Sequence, residues 1–238
     1  MENELTAHEF TGSRAVITGA AGAIGSALAR AIAEAGAEVL LVDQDPAAQV
    51  LAAELGGRAV LGDPSESGLP ADVLMELDGP PELLVLATDE QVWSPAVELS
   101  EADWQRQSEV NVGALYRMVR AAAPSMARRG SGAVLAVSSV TAERAAVGAV
   151  PYGATKAAVS QLVRGLAVEL GPSGVRVNGI APGPLADRRS RRRVVERVPL
   201  GRLADPADLV GPAMFLLSAD ARYVTGQVLV VDGGYALS

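Results

Sequence analysis

The chain has 238 residues, 49% of them apolar, enough to bury the core of one α/β domain of ordinary size or at most two small ones. It has no cysteine and a single histidine, His8, which excludes disulfides, thiol chemistry, a His-based triad and a histidine-rich metal site. The net charge of −8 argues against nucleic acid as the main partner, and no apolar run approaches the roughly 18 residues needed to span a membrane. The opening MENELTAHEF is acidic and lacks a signal-peptide pattern; it reads as a flexible tail over residues 1–10, and with the missing cysteines it predicts a cytoplasmic protein.

Arg14 to Gly36 reads strand, glycine loop, helix. RAVIT is a β-branched run, TGAAGAIG follows, and IGSALARAIAEAG carries apolar residues at helical spacing before a glycine cap at Gly36. Glycines between a strand and a helix N-terminus let the backbone approach a pyrophosphate. Glu38 to Val42 is the second strand, with Asp43 at its end about 20 residues beyond the glycine loop. A carboxylate at that position accepts the ribose hydroxyls of NAD and repels the 2′-phosphate of NADP. No arginine follows it: Gln44, Asp45 and Pro46 come next. NAD is therefore favoured over NADP.

The alternation continues. PAAQVLAAELGG is a helix, RAVLGD a third strand ending at Asp63, and a short helix interrupted by Gly68 and Pro70 follows. LLVLA, from Leu83 to Ala87, is a fourth strand, and Ser100 caps a long helix running to about Met126 and containing Asn111. GAVLAVSS, GVRVNGIAPG and QVLVVDGG are the fifth, sixth and seventh strands, separated by the helices of YGATKAAVSQLVRGLAVEL and DPADLVGPAMFLLS. This pattern predicts an α/β fold: a single doubly wound domain over residues 11–238, with a seven-stranded, mainly parallel sheet and helices on both faces. Ligands of such sheets bind at the strand C-terminal ends, where the glycine loop, Asp43, Asp63, Ala87, Ser139 and Pro182 fall.

SSVTAERAAVGAVPYGATK, from Ser138 to Lys156, holds the candidate chemistry. On a helix, Tyr152 and Lys156 share one face. An adjacent ammonium favours the phenolate and lowers the phenol pKa from its usual value near 10. A serine from a strand end can hold a substrate oxygen beside that phenol, giving a general acid/base for interconverting an alcohol and a carbonyl. Of the 20 basic residues 19 are arginine, and the one lysine is Lys156. Arginine, bulkier, forked and always charged, does not replace an ammonium in such a role.

Taken in order, these motifs resemble the short-chain dehydrogenase/reductase family from about Thr11 to the C-terminus. The pattern TGxxxGxG is met by Thr18, Gly19 and Gly25, and Ser139 precedes Tyr152 by the family's usual 13 residues, which selects it over Ser138. Pro182 and Gly183 match the family's PG, and YVTGQVLVVDGG matches its ending. The resemblance implies a Rossmann-type fold and an NAD(H)-dependent oxidoreductase that interconverts a secondary alcohol and a ketone. Tyr152 would be the general acid/base. Lys156 would lower its pKa and hold the nicotinamide ribose, Ser139 would position the substrate oxygen, and Asn111 would keep a water in a proton relay. The implied cofactor site comprises Gly19, Ala21, Gly22, Ile24, Gly25, Asp43, Gln44, Asp63 facing the adenine, Pro64, Ala87, Tyr152, Lys156, Pro182, Gly183 and Leu185, with no metal. It further implies a substrate lid over about 184–202 and a homotetramer, or a dimer, paired through the two long helices and the C-terminal segment. Abundant arginine and alanine suggest a high-GC bacterial source.

The chain departs from the family's pattern at several positions. Ala23 stands where the middle glycine belongs, and Gly22 comes one residue early. In place of NNAG after the fourth strand stand Leu86, Ala87, Thr88 and Asp89; Ala142 replaces the glycine of SSxxG, and Asp187 the threonine of PGxxxT. Together these changes support a second reading: a protein of this fold with weakened cofactor binding, doing non-redox acid/base chemistry or acting as a binding partner. Arg188, Arg189, Arg191, Arg192, Arg193, Arg197 and Arg202 either receive an anionic substrate or form a solvated or subunit-pairing face. Trp93 reads equally as pocket wall or as packing.

Overall fold

The computed structural model describes residues 9–186 and 192–238. His8 and, from the arginine-rich stretch and its flank, Asp187, Arg188, Arg189 and Arg191 lie outside the described residues. Seven strands, β1 (Arg14–Thr18), β2 (Glu38–Asp43), β3 (Arg58–Leu61), β4 (Leu83–Leu86), β5 (Gly132–Val137), β6 (Val175–Pro182) and β7 (Val228–Val231), form one parallel sheet in the order β3-β2-β1-β4-β5-β6-β7. The strand order reverses between β1 and β4, so the loops leaving these two strands bound a crevice.

Alternation of side chains across each strand divides the core in two. Ala15 and Ile17 of β1, Leu83 and Val85 of β4, and Leu135 and Val137 of β5 pack with helices α1 (Ala23–Glu34), α2 (Ala47–Glu54) and α8 (Val210–Leu217). Val16, Leu84, Leu86, Val134 and Val177 face the other way, toward α3 (Leu69–Met75), α5 (Ala114–Arg129) and α6 (Val150–Leu170). A sheet buried on both faces reads in sequence as nearly continuous apolar runs such as LLVL and GAVLAV. Leu86, which stands where the family has an asparagine, is 3% exposed and packs among Leu84, Leu115 and Met118.

Three sequence expectations are adjusted. The long helix is not continuous: α4 (Glu101–Ser108) passes into a π-helical turn, Glu109–Gly113, before α5 resumes. The last expected helix begins as a 3₁₀ turn, Pro206–Leu209, capped by Asp205 and Asp208, and becomes α8 at Val210. Phe10, read in the sequence as the end of a tail, is buried in the core, and its amide donates to the Ala35 carbonyl at 2.7 Å. The segment after β6 contains a short helix, α7 (Arg192–Val195), and Leu185 pairs with Ala204. Among the described residues no helix is long and apolar enough to cross a membrane.

Candidate active site

A cleft of about 310 Å³ opens at the C-terminal ends of β1, β2 and β4. Gly19, Ala21, Gly22, Asp43, Gln44, Pro64, Ala87, Thr88 and Asp89 line it. The glycine loop is held in one shape. Gly19 has φ +67°, and a Cβ there would stand 2.4 Å from the Ala87 carbonyl oxygen; at Gly25 a Cβ would stand 2.0 Å from the Gly19 oxygen. Gly22 is the N-cap of α1, and Ala23, its first residue, is exposed. The methyl at 23 therefore displaces nothing in the core. Gly19→Ala is expected to destabilise the protein by about 1–3 kcal/mol through strain and overpacking. Thermal unfolding measures it, and an unchanged midpoint would contradict the close approach to Ala87.

Asp43 is part of this loop's support as well as of the cleft wall. Its Oδ2 accepts from the Ala21 amide at 2.9 Å and its Oδ1 from the Asp45 amide at 3.0 Å. Asp63 is turned away from the role expected for it. Its carboxylate receives Arg106 at 2.8 and 2.9 Å and the Ser65 hydroxyl at 2.6 Å, while its neighbours Gly62 and Pro64 line the cleft. The Arg106 guanidinium, with Ser65, holds the Asp63 carboxyl down to about 2, against the opposing pull of burial. Ile24 packs toward the core rather than lining the cleft. Pro182 ends β6; the Gly183 amide donates to the Val231 carbonyl at 2.9 Å, so this turn and Leu185 form the neighbouring strand end outside the cleft lining.

Ser139, Tyr152 and Lys156 come together where the fifth strand meets α6, and each is at least nine-tenths buried. Ser138 is occupied structurally: its hydroxyl donates to the Lys156 carbonyl at 3.0 Å and lies 2.8 Å from Ser160 Oγ. Ser139, one residue on, caps the turn that follows, with its Oγ accepting from the Thr141 amide at 3.2 Å and Thr141 Oγ1 at 2.9 Å, and its hydroxyl also reaches the phenol. Lys156 Nζ donates to the Val137 carbonyl at 3.1 Å and lies 5.6 Å from the centre of the Tyr152 ring.

Asp89 is the residue whose part the sequence did not disclose. Its Oδ1 is 2.8 Å from Lys156 Nζ, and its Oδ2 accepts from the Tyr152 hydroxyl at 3.3 Å. It also lines the cleft, so it joins the crevice to the buried trio. The expectation of an acidified phenol is therefore corrected. Burial first, and then the Asp89 charge and hydrogen bond, push the Tyr152 hydroxyl well above its usual value; the Ser139 hydrogen bond opposes them. The ammonium that would have lowered it is neutralised by the same carboxylate. The only sequence signal was an acid standing where the family has a glycine.

Asn111 sits in the π-helical turn and holds the segment after Asp89. Its Oδ1 accepts from the Glu90 amide at 2.8 Å, and its Nδ2 donates to the Glu90 carbonyl at 2.9 Å and to Thr155 Oγ1 at 3.0 Å. π-helical turns recur at functional sites because they re-aim one side chain within a helix. The arginine-rich stretch is partly committed to internal contacts. Arg202 makes a two-pronged pair with Asp208, and Arg197 stacks 5.5 Å from the Tyr235 ring, which Arg144 also approaches at 4.8 Å. Trp93 is 55% exposed and lies against Gly148. Among the described residues no cluster of three or more His, Asp or Glu side chains is placed to hold a metal ion.

A parallel doubly wound sheet, a crevice at its switch point and a buried Ser–Tyr–Lys set beside that crevice define the class of molecule. The chain belongs to the short-chain dehydrogenase/reductase family. Residues 19–236 match the family described as enoyl-(acyl carrier protein) reductase. The chain is 35% identical to gluconate 5-dehydrogenase of Gluconobacter oxydans, with 96% of each chain covered. It is 33% identical to 7alpha-hydroxysteroid dehydrogenase of Escherichia coli, with 94% of each covered. Among solved structures, a gluconate 5-dehydrogenase from Burkholderia cenocepacia in complex with NADP and tartrate superposes with a TM-score of 0.91 at 31% identity, covering 97% of both chains.

Proposed function

We propose that the chain is an NAD(H)-dependent oxidoreductase interconverting a secondary alcohol and a ketone, with Tyr152 as general acid/base. The observation that carries this reading is the convergence of buried Ser139, Tyr152 and Lys156 beside a cleft floored by the glycine loop. The residues present fit a dinucleotide. The amides of the glycine loop at the α1 N-terminus suit a pyrophosphate, Asp43 suits an adenosine ribose, Ala87 gives an unobstructed wall, and Lys156 suits a second ribose. Pro182, Gly183 and Leu185 would flank the nicotinamide end. When bound, the cofactor supplies hydride acceptance and donation. In the oxidative direction Ser139 would hold the substrate hydroxyl and Tyr152 would take its proton, the bound cofactor supplying hydride acceptance; in reduction Tyr152 would return the proton to the carbonyl oxygen. Asn111 fixes the geometry of the segment that places Asp89.

NAD is favoured over NADP although the Burkholderia relative was solved with NADP. Asp43 and Asp45 both line the cleft, and Arg106, the one cation on its lining among the described residues, is engaged by Asp63. A 2′-phosphate would meet two carboxylates. Asp43→Ala is expected to weaken NAD and narrow its advantage over NADP by about tenfold or more, the worth of hydrogen bonds to a charged group. Titrations of both cofactors into both proteins measure this; an unchanged ratio would remove Asp43 from the preference.

The substrate is a small alcohol or ketone. Lid arginines support an anionic one, with Arg202 now assigned to Asp208. Reduction of NAD followed optically across secondary alcohols, polyols and hydroxy acids tests the activity, and its absence throughout would remove the reading. Exposed apolar side chains on α4, α5 and α6 (Trp104, Tyr116, Val168) and at the C-terminal edge (Tyr223, Leu229, Leu237) support a homotetramer. Sedimentation is expected to give four chains, and a monomer would contradict this.

A further inference from the structure

The loop after β4 puts a carboxylate in contact with both members of the proposed acid/base pair. Asp89 lies 2.8 Å from Lys156 and 3.3 Å from the Tyr152 hydroxyl, and its side chain is 42% exposed toward the cleft while that of Lys156 is 2% exposed. Its placement is built rather than incidental. Asn111 clamps the next residue, Glu90, through both its amide and its carbonyl, and Gln107 Oε1 accepts from the Val92 amide at 3.3 Å.

We propose that Asp89 is a positioning residue for the Tyr152–Lys156 pair, setting the pH at which Tyr152 can act as a base and occupying the Lys156 ammonium until a ligand hydroxyl displaces it. This rests on the reading of Tyr152 as the acid/base. A carboxylate that accepts the phenol's hydrogen bond stabilises the protonated form, and its charge opposes the phenolate. Lys156, paired with Asp89, is left without surplus charge to counter that. The other charged groups on the surrounding elements are engaged elsewhere. Glu90 faces Arg106 at 3.6 Å, Glu109 pairs with Arg117, Glu143 with Arg164 at 3.9 Å, and Arg144 is held by Tyr235. Arg176 of β6 donates to the carbonyls that end α8. Among the described residues, Asp89 is the ion in hydrogen-bond contact with the phenol, and Lys156, paired with it, lies 5.6 Å from the ring centre.

The sign follows directly. With Asp89 present the phenol keeps its proton to higher pH. With the carboxylate removed, Lys156 again favours the phenolate, and ionisation moves to lower pH. The test uses Asp89→Asn, nearly isosteric, and Asp89→Gly. Tyrosinate absorbance is followed against pH in the ligand-free protein, and the same titration in a Tyr152→Phe background is subtracted to isolate this phenol from Tyr116, Tyr223 and Tyr235. Both variants are expected to ionise Tyr152 at least one pH unit lower, a tenfold change in the phenolate ratio. Both should also bind NAD more tightly in calorimetry, because Lys156 no longer has to be released. An unchanged or upward-shifted Tyr152 titration in Asp89→Asn would overturn the proposal. The titration needs no substrate, so it decides the role of Asp89 even if the dehydrogenase reading fails. If activity is present, the acidic, rising limb of the oxidation rate should move down in pH with the titration; a limb that stays fixed while the phenol moves would overturn the reading of Tyr152 instead.

Discussion

Tyr152→Phe is expected to lower turnover by roughly 10²–10⁴-fold, the usual worth of a positioned general acid/base, while leaving the fold intact. The side chain is 6% exposed, and the substitution removes only the hydroxyl from a buried ring carried by α6. The lost hydrogen bond runs to Asp89, whose carboxylate keeps Lys156 as partner, so no buried charge is stranded. Steady-state kinetics with circular dichroism on the same preparation separates the two effects. Turnover within a factor of a few of the parent would remove Tyr152 from the chemistry, whatever the stability.

Lys156→Arg conserves charge and is nevertheless expected to be damaging. Lys156 is 1% exposed, and its ammonium fits between the Val137 carbonyl and Asp89 at 3.1 and 2.8 Å. A planar guanidinium is larger and directs its donors in a fixed fork. Forcing it into this space is expected to cost about 1–3 kcal/mol of stability. Misplacing the groups it touches is expected to reduce turnover on the order of 10²-fold. Chemical denaturation and initial rates measure the two losses. Full activity would show that charge alone is needed, and that the chain's single lysine is not there for its shape.

The fold was legible because its determinants are local and repeated. Apolar runs such as LLVL and GAVLAV give strands, and glycine and Ser100 caps mark helix ends. The π-helical turn at Glu109–Gly113 was not legible, since no local pattern marks it, and its Asn111 bonds Thr155, a partner 44 residues away in the sequence. Within the site, residues that act through backbone shape were readable: Gly19 and Gly25 sit where a Cβ would collide. Side-chain pairings across the fold were not. Asp63 and Arg106 are 43 residues apart, and Asp89 and Lys156 are joined only when β4 and α6 come together over β5. Asp89 was visible as an exception to a pattern, but its effect on Tyr152 required the distances.

The most direct test of the central claim is calorimetric titration of NAD and NADP into the purified protein. The account predicts saturable NAD binding, weaker NADP binding, and loss of NAD binding when Gly25 is replaced by a residue whose Cβ meets the Gly19 carbonyl. Binding of neither cofactor at millimolar concentration would contradict it, and would leave a Ser–Tyr–Lys site with no hydride partner.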